Sequence, residues 1–420
     1  MNMDSNGTFA RYWSVALLVL MTSTWTLWLP PSWTDTLVYP NVPYVAAASW
    51  LSGLAWIGVL IAMGISLLST WSRRASIARS GWWGLLVCLT LAVAADQHRL
   101  QPWVYQSMIY ASILAIAPGS STRWIRWVAI SIYAYSAAGK LDAQFIHTVG
   151  QDFLDAATQV VGVDSSVWPL SRRVKFAFAF PIYELIVAAC LAVPQLRRLG
   201  AYLAIALHLG LIVMLSPWQL DHSLGVIVWN VTLVGQAWLL FESPSSDHAS
   251  SSAADHAASR PFRVPRLVSR LVTTLVIALP LSERRGIWDH WTSWALYSPH
   301  SSRFEWYIPE SQISKWPDAI REAAMDDADN DGWCEVSLSR LSLSCRGVPV
   351  VPQARYQIQL ASRLRGQNVP TGAVRGVLKS VSDRWTGQRQ QTLLFNARDV
   401  NAAASDYWVG VVDPIASSPK

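Results

Sequence analysis

The chain has 420 residues, of which 52% are hydrophobic and only 14% charged, well under the roughly 25% charged residues of a soluble globular protein. That composition argues against a cytosolic enzyme. The net charge of +6 resides in short Arg-bearing loops between apolar runs, a pattern that orients a chain in a bilayer rather than one that grips nucleic acid, so nucleic acid is set aside as a partner.

In chain order, residues 12–34 and 36–72 carry no charge, and each exceeds the roughly 20 residues a helix needs to cross the hydrocarbon core. They are the first two predicted spans, and the first lacks the basic region and cleavage site of a removable signal peptide. Further spans are predicted at about 81–96, 102–118, 126–140, 176–194, 199–216 and 222–241, each bounded by Pro, Gly or charge. A ninth follows at about 265–281. The fold class is thus an all-α polytopic membrane bundle of about nine spans, with Trp residues gathered at span ends as an aromatic belt requires.

Arg73, Arg74 and Arg79, then Arg123 and Arg126, then Arg197 and Arg198 occupy loops that the positive-inside rule puts in the cytoplasm, although Arg172, Arg173 and Lys175 fall on the opposite side. The N-terminus is then cytoplasmic. Residues 1–242 form the bundle, 243–264 a Ser/Ala/Asp-rich cytoplasmic linker, 265–281 the last span, and 282–420 a soluble domain on the outer face. Alternating runs at 356–364 (YQIQLASRL) and 391–400 (QTLLFNARDV) make that domain β-rich. Cys334 and Cys345 flank EVSLSRLSLS within it and can close a hairpin by a disulfide, or remain two thiols; Cys88 and Cys190 lie in spans and stay reduced. No cysteine spacing forms a CxxC or a Cys/His array, so no metal centre is expected from it. Residues 288–308, rich in Trp and Tyr, are expected to be an interfacial collar, with a stacking platform for a lipid or quinone ring as the sharper alternative. Asp327, Asp329, Asp331 and Gly332 open like a calcium loop, but position twelve is Leu338, so an acidic solvated turn stands beside a weak calcium site.

Span five carries the chemistry. Between Arg126 and Lys140 only uncharged residues remain, covering about 20 Å of a core near 30 Å thick. Arg126 can snorkel, whereas Lys140 sits among small residues in AYSAAGKLDAQF that let helices approach closely. A poorly solvated lysine can act as a general base; the plainer reading is a structural lysine paired with Asp142. Glu184, His208 and Asn230 lie at matching depth in spans six, seven and eight, so Lys140, Glu184 and His208 are expected to line one outward-facing cavity. Asp96, Gln97, His98 and Arg99 at the turn between spans three and four, with Gln106 below, are candidates for its rim and for cofactor binding. Any single one of these can instead be a satisfied structural residue.

The segment IYAYSAAGKLDAQFIHTVGQDFL (132–154) resembles the Gly-Lys-Leu-Asp stretch of the HTTM domain, which includes the vitamin K-dependent gamma-carboxylases. AVAADQHRLQPWVYQSM (92–108) and LGAYLAIALHLGLIVML (199–215) fall where that family has a polar turn and an aromatic-His span. The resemblance implies Lys140 as the base and His208 as a site residue. Where the carboxylases carry an Asn-His-Tyr-Trp element, this chain has APGSSTRWIRW. The Pro181 to Glu184 element (PIYE), followed by the basic turn QLRRLGA, is similar to DoxX/MauE-type redox-associated membrane proteins. Three functions follow. One is an enzyme whose outward-open pocket binds an apolar quinone-like cofactor, with Lys140 as base and Glu184 and His208 orienting reactants. Another is an accessory membrane protein that supports electron transfer or disulfide maturation of an outer-face partner, with the same residues holding helices together. The third is a lipid-binding scaffold for the outer domain.

Overall fold

Apolar segments removed from water must satisfy their own backbone hydrogen bonds, and helices do this locally. The computed structural model is accordingly dominated by helices. It describes residues 5–29, 75–116, 120–242, 263–364 and 374–407, with short pieces at 39–40 and within 57–68. The predicted second span lies largely outside these residues, as does most of the linker.

The main helices of the bundle are α1 (Ser5–Ser23), α2 (Ala75–Ala95), α3 (Pro102–Ile116), α4 (Ser121–Lys140), α5 (Val149–Val160), α6 (Ala179–Ala192), α7 (Arg197–Met214), α8 (Leu224–Ala237) and α9 (Arg263–Ala278), with shorter helices at Trp25–Trp28, Ala143–His147 and Leu170–Ala177. Helix α4 packs on α6, α6 on α7, α7 on α8, and α9 crosses both α3 and α4. Four stretches among the described residues are long and apolar enough to cross a membrane: Ile77–Ala95, Leu170–Ala192, Pro194–Met214 and Leu224–Glu242. The expected nine spans are therefore not confirmed. Helix α3, for example, has 15 residues, short of the roughly 20 that cross a bilayer upright. Ile182, Ile186, Leu209, Val213 and Val231 are exposed, while Glu184, His208, Asn230 and Gln236 of the same helices turn inward, the reverse of a soluble bundle.

The C-terminal part holds a four-stranded antiparallel sheet of order β2-β1-β3-β4, built from β1 (Arg303–Pro309), β2 (Trp333–Glu335), β3 (Arg375–Lys379) and β4 (Gln391–Leu394). Trp306 pairs with Gly376, which in turn pairs with Leu394. Helices α10 (Leu338–Arg346), α11 (Ala354–Leu364) and α12 (Ala397–Ser405), with a short helix at Asp318–Ala323, pack with it, so this part is mixed rather than β-rich. The run at 391–400 supplies β4 and then α12. The run at 356–364, expected as a strand, is helical because its polar positions are also inside and bonded: Gln357 Oε1 accepts from Phe304 N at 2.8 Å, and Gln359 Nε2 donates to the Ala404 carbonyl at 2.7 Å. With both polar and apolar positions buried, alternation no longer separates two faces of a strand.

No disulfide joins Cys334 to Cys345; both are thiols. The residues between them are not a hairpin. Cys334 points into the core from β2, and the chain then enters α10, where Ser337 Oγ caps Arg340 N and Gly347 ends the helix with positive φ. The aromatic collar is likewise interior. Trp294 belongs to the bundle core and Trp306 to the core under the sheet, so this segment joins two hydrophobic cores.

Candidate functional site

Lys140 ends α4 and is almost wholly buried. Its Nζ donates to Ser136 Oγ at 2.5 Å, one turn back, and to both carboxylate oxygens of Glu184 at 2.9 Å each. Helix α6 packs along α4 and so places Glu184 there, while Gly139 leaves room for Ser298 and Ala295. Asp142 is not the partner: it caps the next turn by accepting from Gln144 N at 2.8 Å and binds Arg284 Nη2 at 2.7 Å. The end of α4 is covered from the C-terminal part, where Arg384 Nη2 donates to the Ala138 carbonyl at 3.3 Å and Ser298 Oγ donates to that of Gly139.

His208 belongs to another group. Its Nδ1 bonds Asn230 Oδ1 at 2.9 Å and its Nε2 bonds the Tyr133 hydroxyl at 2.8 Å, while Asn230 Nδ2 donates to the Val226 carbonyl. With Asn230 accepting, Nδ1 carries the hydrogen and Nε2 accepts from Tyr133, which satisfies a neutral ring completely. Gln106 sits in a third group, accepting from Trp229 Nε1 at 2.8 Å and donating to Gln236 Oε1 at 2.9 Å.

Asp96, Gln97, His98 and Arg99 are all buried at a seam between the bundle and the C-terminal part. Asp96 accepts from the His98 amide at 2.9 Å and pairs with Arg346. Gln97 Oε1 accepts from Arg355 Nη1 at 2.6 Å. Arg99 donates to the carbonyls of Leu27 and Trp28 at 3.2 and 3.1 Å. His98 Nδ1 accepts from the Tyr356 hydroxyl, and its Nε2 donates to Ser342 Oγ at 2.9 Å, which passes its own proton to the Val348 carbonyl. Burial holds the His98 imidazole down to about 3, with Asp96 pulling it up and Arg346 pushing it further down. Asp96, Gln97 and His98 thus join the bundle to the C-terminal part, while Arg99 ties the turn to the short helix that follows α1.

The cavity lies elsewhere. An open cleft of about 690 Å³ lies between the bundle and the sheet, lined by Trp103, Phe153 and Trp229 from one side and Phe304, Val336 and Val350 from the other. Lys140, Glu184 and His208 are not among its lining residues. Trp103 Nε1 and Ser223 Oγ, both on residues lining it, have no hydrogen-bond partner among the described residues. Beside it Glu283, His290 and His300 form a buried cluster, which sequence reading missed because these residues fall on a short 3-10 helix and in turns, with no helical or strand spacing. Asp327, Asp329 and Asp331 also cluster, but they serve their own turn: Asp327 accepts from the amides of Asp331 and Gly332 at 3.1 and 2.7 Å, and Asp331 from that of Trp333 at 2.9 Å.

Apolar helices with exposed hydrophobic faces and an ion pair inside define an integral, multi-pass membrane protein. Over residues 114–221 the chain matches the family model of Methylamine utilisation protein MauE, and that stretch contains Lys140, Glu184 and His208. The match supports the resemblance to redox-associated membrane proteins and gives none to the carboxylase-like one. Neither the curated proteins nor the solved structures returned a match.

Proposed function

We propose that the chain is a non-catalytic accessory membrane protein of the DoxX/MauE-like kind, whose bundle supports electron transfer or disulfide maturation of a partner protein. The observation that carries this is the closure of the Lys140 group. Three N–H donors meet three acceptors, on Ser136 and Glu184, so no lone pair on Nζ is free to take a substrate proton. The similarity to MauE over the same residues supports it. The N-terminus is cytoplasmic and residues 282–420 lie on the outer face in this reading, which most of the arginine-bearing loops favour and Arg172, Arg173 and Lys175 oppose; reporter fusions after residues 78, 250 and 420 should report inside, inside and outside.

Deletion of the chain in its native cells should leave envelope thiols open to alkylation that are oxidised in the parent. The double variant Lys140→Met, Glu184→Gln, which removes both charges together, should restore their oxidation. Unchanged thiols on deletion would refute disulfide maturation and leave electron transfer as the supported process, and a folded double variant that fails to restore oxidation would refute the non-catalytic reading of Lys140.

A second reading, binding of a quinone-like ring, draws on the cavity. Its aromatic walls can stack on a ring, and the unpartnered Trp103 Nε1 and Ser223 Oγ are donors that a quinone's carbonyl oxygens would accept from. Mass spectrometry of the detergent-purified protein should find a co-purifying quinone that is lost in Trp103→Leu; its absence from the wild-type protein sinks this reading.

A further inference from the structure

We propose that Glu283, His290 and His300 form a binding site for a divalent first-row transition-metal ion. His290 Nδ1 lies 2.8 Å from Glu283 Oε1, and His300 Nε2 lies 3.0 and 2.9 Å from the two Glu283 oxygens. One ligand atom from each residue falls within 4.8 Å of the others. Ligands bound at about 2.0–2.1 Å stand about 3.0 Å apart around a six-coordinate ion and about 3.4 Å apart around a four-coordinate one, so small outward shifts of the side chains admit the ion.

Hydrogen-bond stoichiometry points the same way. Ser298 has one hydroxyl proton, and it goes to the Gly139 carbonyl, which can only accept. Toward His300 Nδ1, 2.7 Å away, Ser298 Oγ must therefore act as acceptor, so Nδ1 carries the hydrogen. The Nε2 of the neutral ring then presents a lone pair to two carboxylate oxygens that also only accept. A buried arrangement of acceptor against acceptor is unfavourable unless a metal ion, or a second imidazole proton on Nε2, lies between them, and a metal titration separates these two. An imidazole whose second nitrogen is fixed by a hydrogen bond is also how metal-ligating histidines are held.

All three residues are buried, and two imidazoles with one carboxylate suit zinc, iron, manganese or copper rather than calcium or magnesium. His290 and Ser298 also line the 690 Å³ cavity, which offers an entry path and room for an exchangeable ligand. The ion would bind along the chain from Glu283, just after α9, to His300, just before β1, and so staple the connector between the two cores. This site is independent of the role assigned to Lys140.

The full chain in detergent, stripped with a chelator and titrated with Co²⁺, should take one equivalent with visible d–d absorption that Zn²⁺ displaces. His290→Ala and His300→Ala should abolish that absorption. Ser298→Ala retains every ligand and should weaken Co²⁺ binding by about 10–100-fold, the usual loss when a ligand's orienting hydrogen bond is removed; it decides the matter where a histidine variant fails to fold. Asp327→Asn with Asp329→Asn should leave the stoichiometry unchanged. Folded wild-type protein without d–d bands, which would mean that the cluster holds a proton instead, overturns the proposal. So does a Co²⁺ site that survives His290→Ala with His300→Ala, or one lost only with the two aspartates.

Discussion

Lys140 and Glu184, 44 residues apart in sequence, meet as a buried ion pair in which both carboxylate oxygens lie 2.9 Å from Nζ. Removing one partner leaves the other charged and unpaired in a poorly solvated site, a loss of about 3–5 kcal/mol for a buried pair. Lys140→Met should therefore unfold at a clearly lower temperature in detergent. Adding Glu184→Gln should recover most of the loss, because a neutral amide beside a thioether carries no stranded charge. A Lys140→Met variant as stable as the parent would show that the pair is solvated and the lysine replaceable, contrary to the closed geometry.

The individual residues of this pair were legible because an ionisable side chain is expensive at membrane depth and stands out in an apolar run. Their pairing was not, since Asp142 lies closer along the chain and only helix packing brings Glu184 to Lys140. The same holds at the turn. Asp96 to Arg99 were visible as a polar cluster, but their partners Arg346, Tyr356 and Ser342 are 244 to 258 residues away, and no periodicity encodes so distant a contact. The C-terminal part was misread as β-rich at 356–364 because an alternating pattern is ambiguous where the polar side chains are buried too. Glu283, His290 and His300 gave no signal at all, being separated by 7 and 10 residues, with Glu283 on a short 3-10 helix and the histidines in turns.

His98 makes stability depend on pH. Its folded imidazole titrates near 3, far below the ordinary value of 6.5, chiefly because it is buried. The unfolded chain binds a proton between those values and the folded chain does not, so this contribution is fully present above pH 6.5 and is lost as pH falls toward 3. At pH 5 the loss is about 2 kcal/mol, from 1.36 kcal/mol per unit. His98→Gln keeps an acceptor for Tyr356 and a donor for Ser342 without the titration. Its melting temperature should fall less steeply between pH 7 and pH 5 than that of the parent, and equal slopes would remove His98 as the cause.

Arg346 holds the C-terminal part to the bundle. It is fully buried, pairs with Asp96, and stacks over Tyr39 at 4.3 Å, while its carbonyl accepts from Thr26 Oγ1 at 2.8 Å. Arg346→Met should leave Asp96 with only the longer contact to Arg99 Nε at 3.7 Å, cost up to about 3–5 kcal/mol, and speed amide hydrogen exchange in α10 and α11. Arg375, paired with Asp331 at 3.3 Å in an exposed position, provides the comparison, since a solvated pair contributes about 0–1 kcal/mol. Exchange rates raised equally by Arg346→Met and Arg375→Met would deny the seam its proposed role.

Two glycines on α7 separate helix packing from helix propensity. A Cβ at Gly200 would stand 2.7 Å from the backbone nitrogen of Leu191 and 3.0 Å from the carbonyl carbon of Cys190, so α6 can relieve the clash only by moving its backbone. At Gly210, on the same helix, nothing lies within 4 Å of the added atom. Gly210→Ala should therefore be neutral or stabilising by up to about 1 kcal/mol, the helix-propensity gain. Gly200→Ala gains the same propensity but must separate α6 from α7, an overpacking loss of about 1–3 kcal/mol. Since α6 carries Glu184, the separation also pulls the carboxylate away from Lys140. Thermal unfolding in detergent should rank Gly210→Ala at or above the parent and Gly200→Ala below it. Equal melting temperatures for the two variants would mean that the close approach of α6 and α7 is not needed to hold the ion pair.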